Sequence, residues 1–156
     1  MTILTVRDLL AEHPLFARFD AEALDELAGC TRTEQIAKGA LVLREGEAAD
    51  KVFVLRTGDV AIEMAAPGRA PMIVETLHEG DILGVSWLVP PYRHMADARA
   101  MSDVRALSLD AACLRRKCDE SPEIGYAFFK AWLPHVAGRM RMQRLRLLDL
   151  YASGGG

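Results

Sequence analysis

The chain has 156 residues, the length of one ordinary domain, and its 19 basic and 22 acidic side chains give a formal net charge of −3. This balance argues against nucleic-acid binding through bulk charge, and a hydrophobic content of 51% is enough for a buried core. No apolar run approaches the ~18 residues that a membrane-spanning helix needs. The N-terminus also lacks the layout of a signal peptide, so we expect a cytoplasmic protein without membrane contact.

The N-terminal residues predict helices between residues 5 and 30. Residues 6–10 form a short apolar turn that ends before Pro14. Asp20 is a suitable N-cap for a second helix over residues 21–30, because its side chain can accept hydrogen bonds from the first turn.

Residues 33–109 alternate short apolar runs with glycine turns. Many short strands with turn residues between them are typical of an antiparallel sandwich or barrel. The predicted strands are residues 34–37, 40–43, 51–55, 59–63, 71–77 and 104–109.

The C-terminal part predicts helices over residues 111–150. Asp110 is a suitable N-cap for a short helix over 111–118, and Ser121 followed by Pro122 is a strong start for a second, long helix. Pro134 should kink this helix or split it in two. We expect residues 152–156, which are mostly glycine, to form a flexible tail.

Seven residues of the long helix are separated alternately by four and three positions, as in a heptad repeat. This seam consists of Phe129, Leu133, Val136, Met140, Gln143, Leu147 and Leu150. It packs either on its own barrel or against the same helix of a second chain. A small barrel cannot cover about 43 Å of helix along one stripe, so we expect a homodimer through residues 122–150.

The three cysteines, Cys30, Cys113 and Cys118, predict free thiols, since their number is odd and no secretion signal precedes them. Cys113 and Cys118 would lie on different faces of a helix, and no nearby cysteine or histidine completes a zinc site. The basic residues 115–117 between them would lower a thiol pKa, which leaves a redox role as the alternative.

The stretch from Gly80 to Ala100 contains two glycines around a short apolar turn, two prolines and a basic pair. A glycine turn exposes backbone N–H groups, and a nearby basic side chain can neutralise an anion. The stretch resembles the phosphate-binding cassette of cyclic-nucleotide-binding domains, the effector domains of the Crp/Fnr family. The order of the glycine turns extends this resemblance over roughly residues 10–150.

The strand pattern and the resemblance together predict an α+β fold in a single domain, residues 1–151. A small antiparallel β-roll, or jelly-roll barrel, is flanked by N-terminal helices and a long C-terminal helix. The resemblance also implies that cyclic AMP or cyclic GMP is the ligand, and that members of the family commonly dimerise through the long helix.

The cassette departs from the family pattern at two polar positions. The family has a glutamate that accepts the ribose 2′-hydroxyl, but here Gly84 is followed by Val85, which has no acceptor. The family arginine that pairs with the cyclic phosphate is replaced by His94, with Arg93 just before it. Histidine is only partly charged at pH 7 and lacks the two-pronged guanidinium, so Arg93 takes the role only if the loop shifts by one residue.

The candidate ligand-binding residues combine this cassette with one turn of the long helix. They are Gly84, Val85, Ser86, Trp87, Arg93, His94, Met95, Gln143 and Arg144. The aromatic side chains of Trp87 and Tyr92 either stack on a base or, as we expect, fill the volume of the nucleotide. Gln143 either hydrogen-bonds a base, a role that the resemblance gives to this turn, or fixes the register of a dimer.

We expect a non-enzymatic regulatory module that senses a ligand and acts through a protein partner. The four histidines are scattered, and the sequence contains no P-loop and no nucleophile elbow. No helix-turn-helix follows the long helix, so we expect no DNA-binding domain in this chain. The basic residues 139, 141, 144 and 146 predict a solvated helix surface. The alternative is a fragment or relative of a Crp/Fnr-type transcription regulator that binds a cyclic nucleotide.

Overall fold

The computed structural model describes residues 3–155. Its helices are α1 (Val6–Glu12), α2 (Ala21–Ala28), α3 (Ala111–Glu120) and α4 (Pro122–Ser153). Its strands are β1 (Thr31–Ile36), β2 (Leu41–Leu43), β3 (Lys51–Thr57), β4 (Val60–Met64), β5 (Met72–Leu77), β6 (Ile82–Leu83), β7 (Asp97–Ala100) and β8 (Val104–Asp110). Single 3₁₀ turns lie at Pro14–Phe16 and Val85–Leu88.

The strands form two antiparallel sheets of four, in the orders β1-β8-β3-β6 and β2-β7-β4-β5. This arrangement confirms the predicted α+β fold, a β-roll flanked by helices. Sequence reasoning missed β6 and β7. β6 has only two residues, and β7 alternates charged residues with alanine, so neither has the apolar run of a strand. Their extended conformation depends on pairing with β3, β2 and β4.

β3 shows how one sheet separates two hydrophobic cores. Successive strand residues point to opposite faces. Val52 and Val54 pack in a core formed with the helices, whereas Phe53 and Leu55 pack inside the roll. β3 is therefore buried on both faces, and the helices lie on the outer face of the first sheet.

Three predicted helix starts are confirmed by their N-cap hydrogen bonds. The side chains of Asp20, Asp110 and Ser121 accept hydrogen bonds from the backbone N–H groups three residues later. These contacts satisfy donors that have no partner within the helix.

α4 excludes one of the two outcomes predicted for Pro134, the split, and it ends later than predicted. It is one helix from Pro122 to Ser153, and it is not split at the proline. Proline removes only one backbone hydrogen-bond donor. On either side of Pro134 the helix is held to the rest of the molecule, by Trp132 in the helical core and by Arg139 on the roll, and these contacts stabilise it as one helix.

The prediction that a flexible tail starts at residue 152 was wrong. The helix continues to Ser153, whose hydroxyl donates to the Asp149 carbonyl. Gly156 lies outside the described residues.

Cys30 and Cys113 form a disulfide bond, so the expectation of free thiols is wrong for these two residues. β1 follows Cys30 and pairs with β8, and the backbone N–H of Asp110 donates to the Cys30 carbonyl. This pairing brings the first turn of α3 next to the end of α2, with 5.8 Å between the two cysteine Cα atoms.

Cys118 is a free thiol, as predicted. Burial raises the pKa of this thiol, and the negative charge of the nearby Asp119 raises it further.

No helix in the described part of the chain is long and apolar enough to cross a membrane.

Candidate ligand-binding site

The cassette, defined here as residues 84–95, begins with a left-handed glycine. Gly84 has a φ of 101°, and a Cβ at this position would lie 3.1 Å from the Lys51 carbonyl oxygen. Only glycine fits this conformation and this close approach without strain. The residue starts the 3₁₀ turn Val85–Leu88, which carries the chain from the first sheet towards the second.

The indole of Trp87 is fully buried where the cassette meets α4. Its ring lies 5.3 Å from Phe128 and 5.8 Å from Trp132, in edge-to-face contacts with both. An aromatic ring packed this way contributes to the helical core. Trp87 therefore fills protein volume and has no exposed face on which a base could stack.

Tyr92 and Arg115 hold the outer side of the cassette. The guanidinium of Arg115, on α3, lies 4.6 Å above the Tyr92 ring and donates a hydrogen bond to the Trp87 carbonyl. Trp87 and Tyr92 were both expected to fill the volume of the nucleotide. Tyr92 is partly exposed, so it does not fill the interior.

Arg93 and His94 attach the end of the cassette to the loop between β2 and β3. The Arg93 guanidinium donates to the Gly46 carbonyl at 2.8 Å. The backbone of His94 exchanges two hydrogen bonds with this loop, with Glu47 and Gly46, each of 2.9 Å. Both side chains line the loop-side cleft, a surface cavity of about 670 Å³.

The charges around the loop-side cleft do not favour an anion. Three carboxylates, of Glu34, Glu47 and Asp50, line it together with two cations, the Lys51 ammonium and the Arg93 guanidinium. Burial lowers the pKa of the His94 imidazole, although Asp50 and Glu47 oppose this by favouring the charged form. His94 is therefore mainly neutral at pH 7. The three carboxylates outnumber the two cations, so this cleft is the less favourable of the two for a phosphate.

A second cavity, the helix-side cleft, lies between α4 and the edge strands β5 and β6. Its volume of about 750 Å³ falls in the usual range for small-molecule pockets, roughly 300–1,000 Å³. Val85 lines it from the cassette. Its charged and titratable lining residues are Arg139, Arg141, Arg146, His78, His135, Glu75 and Asp81. Three guanidinium groups face two carboxylates there, so this cleft is the more favourable of the two for an anion.

Arg139 connects α4 to both sheets. Its guanidinium pairs with the Glu75 carboxylate through two hydrogen bonds of 2.8 Å and donates a third, of 3.1 Å, to the Ile82 carbonyl. Glu75 lies on β5 and Ile82 on β6, the neighbouring edges of the two sheets. Two-pronged pairing of this kind is both directional and strong. Arg139 thus fixes where α4 lies on the roll.

Sequence reasoning missed both partners of this ion pair. Arg139 was assigned to a solvated basic surface, but its side chain is 26% exposed and that of Glu75 only 9%. The signal in the sequence was a carboxylate in the middle of the apolar run 71–77, which indicates a buried charge that needs a partner. Arg146 is also tied to β5, because it donates to the Val74 carbonyl.

The structure separates the predicted site residues into several environments. Val85 and Gln143 line the helix-side cleft, whereas Arg93 and His94 line the loop-side cleft. Ser86 is buried next to Trp87, and Met95 is 64% exposed. The amide of Gln143 lies 3.5 Å from the Glu75 carboxylate. Arg144 is exposed and contacts the Met140 sulfur on its own helix.

Comparisons with known proteins agree with this architecture. The family model described as the cyclic nucleotide-binding domain matches residues 33–121. The CRP-like cAMP-activated global transcriptional regulator of Mycobacterium tuberculosis is 25% identical over 143 residues, which cover 92% of this chain. The chain spans 62% of the length of that regulator.

Two solved structures share the fold. A cyclic nucleotide-binding domain from Methylobacillus flagellatus KT is 19% identical, with a TM-score of 0.78 over 93% of this chain and 82% of that one. The N-terminal domain of a transcriptional regulator from Streptomyces coelicolor A3(2) is 27% identical, with a TM-score of 0.66 over 86% of this chain and 94% of that one.

Proposed function

The chain belongs to the cyclic nucleotide-binding domain family, and we propose that it is a non-enzymatic sensing module in which α4 responds to a ligand in the helix-side cleft. The observation that carries this proposal is the position of Arg139. This one side chain lines the cleft and joins α4 to the edges of both sheets. A ligand that changes its contacts therefore also changes how the helix is held.

The proposed ligand is a purine cyclic nucleotide, either cyclic AMP or cyclic GMP. Its phosphate would lie on the helix side, near Arg139 and Arg146, because in the loop-side cleft three carboxylates outnumber the two cations and His94 is mainly neutral. Gln143, at the same cleft, would hydrogen-bond the base. This arrangement relocates the anion contact from the cassette to the long helix.

The proposed mechanism is a competition for one guanidinium. In the structure Glu75 occupies two of the donors of Arg139. A phosphate that takes these donors leaves the Glu75 carboxylate without its partner, and α4 then favours a different position on the roll. A ligand shifts such an equilibrium only by its difference in affinity for the two positions.

Titration calorimetry with cyclic AMP and cyclic GMP tests this assignment. We expect saturable binding of at least one nucleotide, and an affinity loss of roughly tenfold or more in Arg139→Gln, because a charge-assisted hydrogen bond contributes about 1.5–3 kcal/mol. Arg93→Gln is the matched control, since it removes the same charge from the loop-side cleft and should leave the affinity unchanged.

Two outcomes of this titration contradict the proposal. Loss of binding in Arg93→Gln but not in Arg139→Gln would place the phosphate at the cassette, as in other members of the family. No binding of either nucleotide to the unaltered protein would mean that the fold is retained without this ligand, and the search would turn to proteins that bind α4.

We also propose that the protein is a homodimer through residues 122–150. The seam residues Phe129, Leu133, Leu147 and Leu150 are each at least half exposed, from 50% to 70%. Their heptad spacing is that of a helix that pairs with another helix, and a stripe of this kind complements a second copy of itself. Such pairing would cover apolar surface that the roll leaves open.

Leu147→Glu tests the dimer, and Leu148→Glu is its matched control. Both residues are exposed leucines of the same helix, but Leu148 lies one position outside the seam. We expect sedimentation velocity to show a dimer for the unaltered protein and for Leu148→Glu, and a monomer for Leu147→Glu. In a Leu147→Glu dimer the glutamates of both copies would be buried in the seam, and burying two negative charges opposes association. Equal effects of the two substitutions would contradict pairing through the seam.

The output of the module is proposed to be a cytoplasmic protein partner that binds α4. The similarity to the Mycobacterium tuberculosis regulator favours one alternative, that the chain is the effector part of a longer transcription regulator that binds a cyclic nucleotide. Immunoblotting of the natural host with an antibody against this chain separates the two. A band near the 17.2 kDa of this sequence supports the separate module, and a clearly larger band supports the regulator.

A further inference from the structure

The Cys30–Cys113 disulfide lies in the wall of a surface cavity. The cavity has a volume of about 420 Å³ and shares Lys51 with the wall of the loop-side cleft. Both cysteines line it, together with Arg32, Lys51 and Arg116. A disulfide in such a position can be reached by a small molecule, whereas one inside the core cannot.

The two sulfur-bearing residues differ in exposure. Cys30 is buried at the end of α2, with 6% of its surface exposed, whereas Cys113 in the first turn of α3 is half-buried. An attacking thiolate must approach a disulfide sulfur directly, so access decides which sulfur it reaches. The structure therefore favours attack at Cys113, with Cys30 as the leaving group.

The charges around the cavity favour an anion. Arg32 and Arg116 are exposed, and neither has an ion pair with any residue between 3 and 155. Lys51 pairs with Glu34 at 2.8 Å, so it adds little net charge. The carboxylate of Asp110 accepts a hydrogen bond from the Cys113 backbone N–H. Two unpaired guanidinium groups therefore outweigh the one carboxylate that lines the cavity.

We propose that the Cys30–Cys113 disulfide is a thiol-exchange site for small anionic thiols, which enter beside Arg32 and Arg116 and attack Cys113. The thiolate RS⁻ forms a bond to Cys113 Sγ, the Sγ–Sγ bond breaks, and Cys30 leaves with the electron pair and takes a proton from water. A second RS⁻ then attacks the sulfur of the bound thiol. The products are the disulfide RSSR and the Cys113 thiolate, so two thiols are oxidised and one protein disulfide is reduced.

The test compares three thiols of different charge on the oxidised, folded chain of 156 residues. Apart from the thiol group itself, glutathione carries a net negative charge, 2-mercaptoethanol carries no charge, and cysteamine carries a positive charge. Each is used at the same thiolate concentration, and disulfide loss is followed by alkylation and mass spectrometry. The same thiols acting on the urea-unfolded chain give their intrinsic reactivities, which depend on the thiol pKa.

For each thiol, the rate on the folded protein is divided by the rate on the unfolded chain. We expect this ratio to be roughly tenfold larger for glutathione than for cysteamine. The preference should shrink in ~1 M salt, where the Debye length is about 3 Å. It should also be lost in the double variant Arg32→Gln, Arg116→Gln, which leaves the cysteines in place. Peptide mapping should find the trapped glutathione on Cys113.

Four results would each overturn the proposal. They are free thiols at Cys30 and Cys113 in the air-oxidised protein, no reduction of the folded protein by glutathione, equal relative rates for the anionic and cationic thiols, and trapped glutathione on Cys30. Cys118→Ser serves as the control for the third cysteine, and its exchange rates should equal those of the unaltered protein.

Discussion

Replacing Trp87 with alanine is expected to lower the free energy of unfolding by about 3–5 kcal/mol, a large part of the stability of an ordinary domain. The indole is fully buried, and its contacts with Phe128 and Trp132 join the cassette to α4. Alanine would leave a cavity between these elements, since aromatic neighbours cannot close it without moving the helix. Urea denaturation followed by circular dichroism measures the loss.

Two further substitutions control this prediction. The Trp87 indole N–H is buried and has no hydrogen-bond partner among residues 3–155, so Trp87→Phe removes an unsatisfied donor and should cost clearly less than alanine. Tyr92→Ala removes the other cassette aromatic, which is partly exposed and contacts the Arg115 guanidinium, and should cost about 1 kcal/mol. Equal losses for Trp87→Ala and Tyr92→Ala would show that Trp87 does not support the core.

The double variant Cys30→Ser, Cys113→Ser is the second change with a large expected effect. The disulfide joins residues 83 positions apart, and the loss of a cross-link over a loop of this length costs about 4 kcal/mol through the entropy of the unfolded chain. We expect the midpoint of urea denaturation to fall accordingly.

The reduced form of the unaltered protein provides the comparison for this variant. Reduction with dithiothreitol should lower the stability by about the same amount, because both changes open the same loop. Cys118→Ser keeps the disulfide, and its serine replaces a half-buried thiol, so a loss of about 1 kcal/mol or less is expected. If neither the double serine variant nor reduction with dithiothreitol lowers the stability, the predicted contribution of the disulfide is wrong.

Local features of the sequence were enough to predict much of the fold. Asp20, Asp110 and Ser121 cap their helices because an N-cap depends only on the residue and the next few backbone N–H groups. The apolar runs with glycine turns correspond to β1–β5 and β8, since short apolar runs bounded by turn residues are typical of strands. Short strands without such a run, β6 and β7, could not be found in this way.

The candidate site was predictable only in part. The glycine turn at Gly84 and the two altered polar positions were visible in the sequence. The partners of Arg93 and His94 were not, because they lie on the loop between β2 and β3, far away in the chain. The helix-side cleft also depends on α4 lying beside β5 and β6, through contacts of Arg139 with residues 64 and 57 positions away.

The sequence by itself therefore determined most of the elements of this protein, its family resemblance and the departures of its cassette. Each of these depends on neighbouring residues or on a linear pattern. The tertiary structure alone decided that Cys30 meets Cys113, that Arg139 pairs with Glu75 and that Trp87 is buried against α4. These contacts join distant segments, and which segments meet is set by the pairing of the strands and the packing of the helices, which no local pattern encodes.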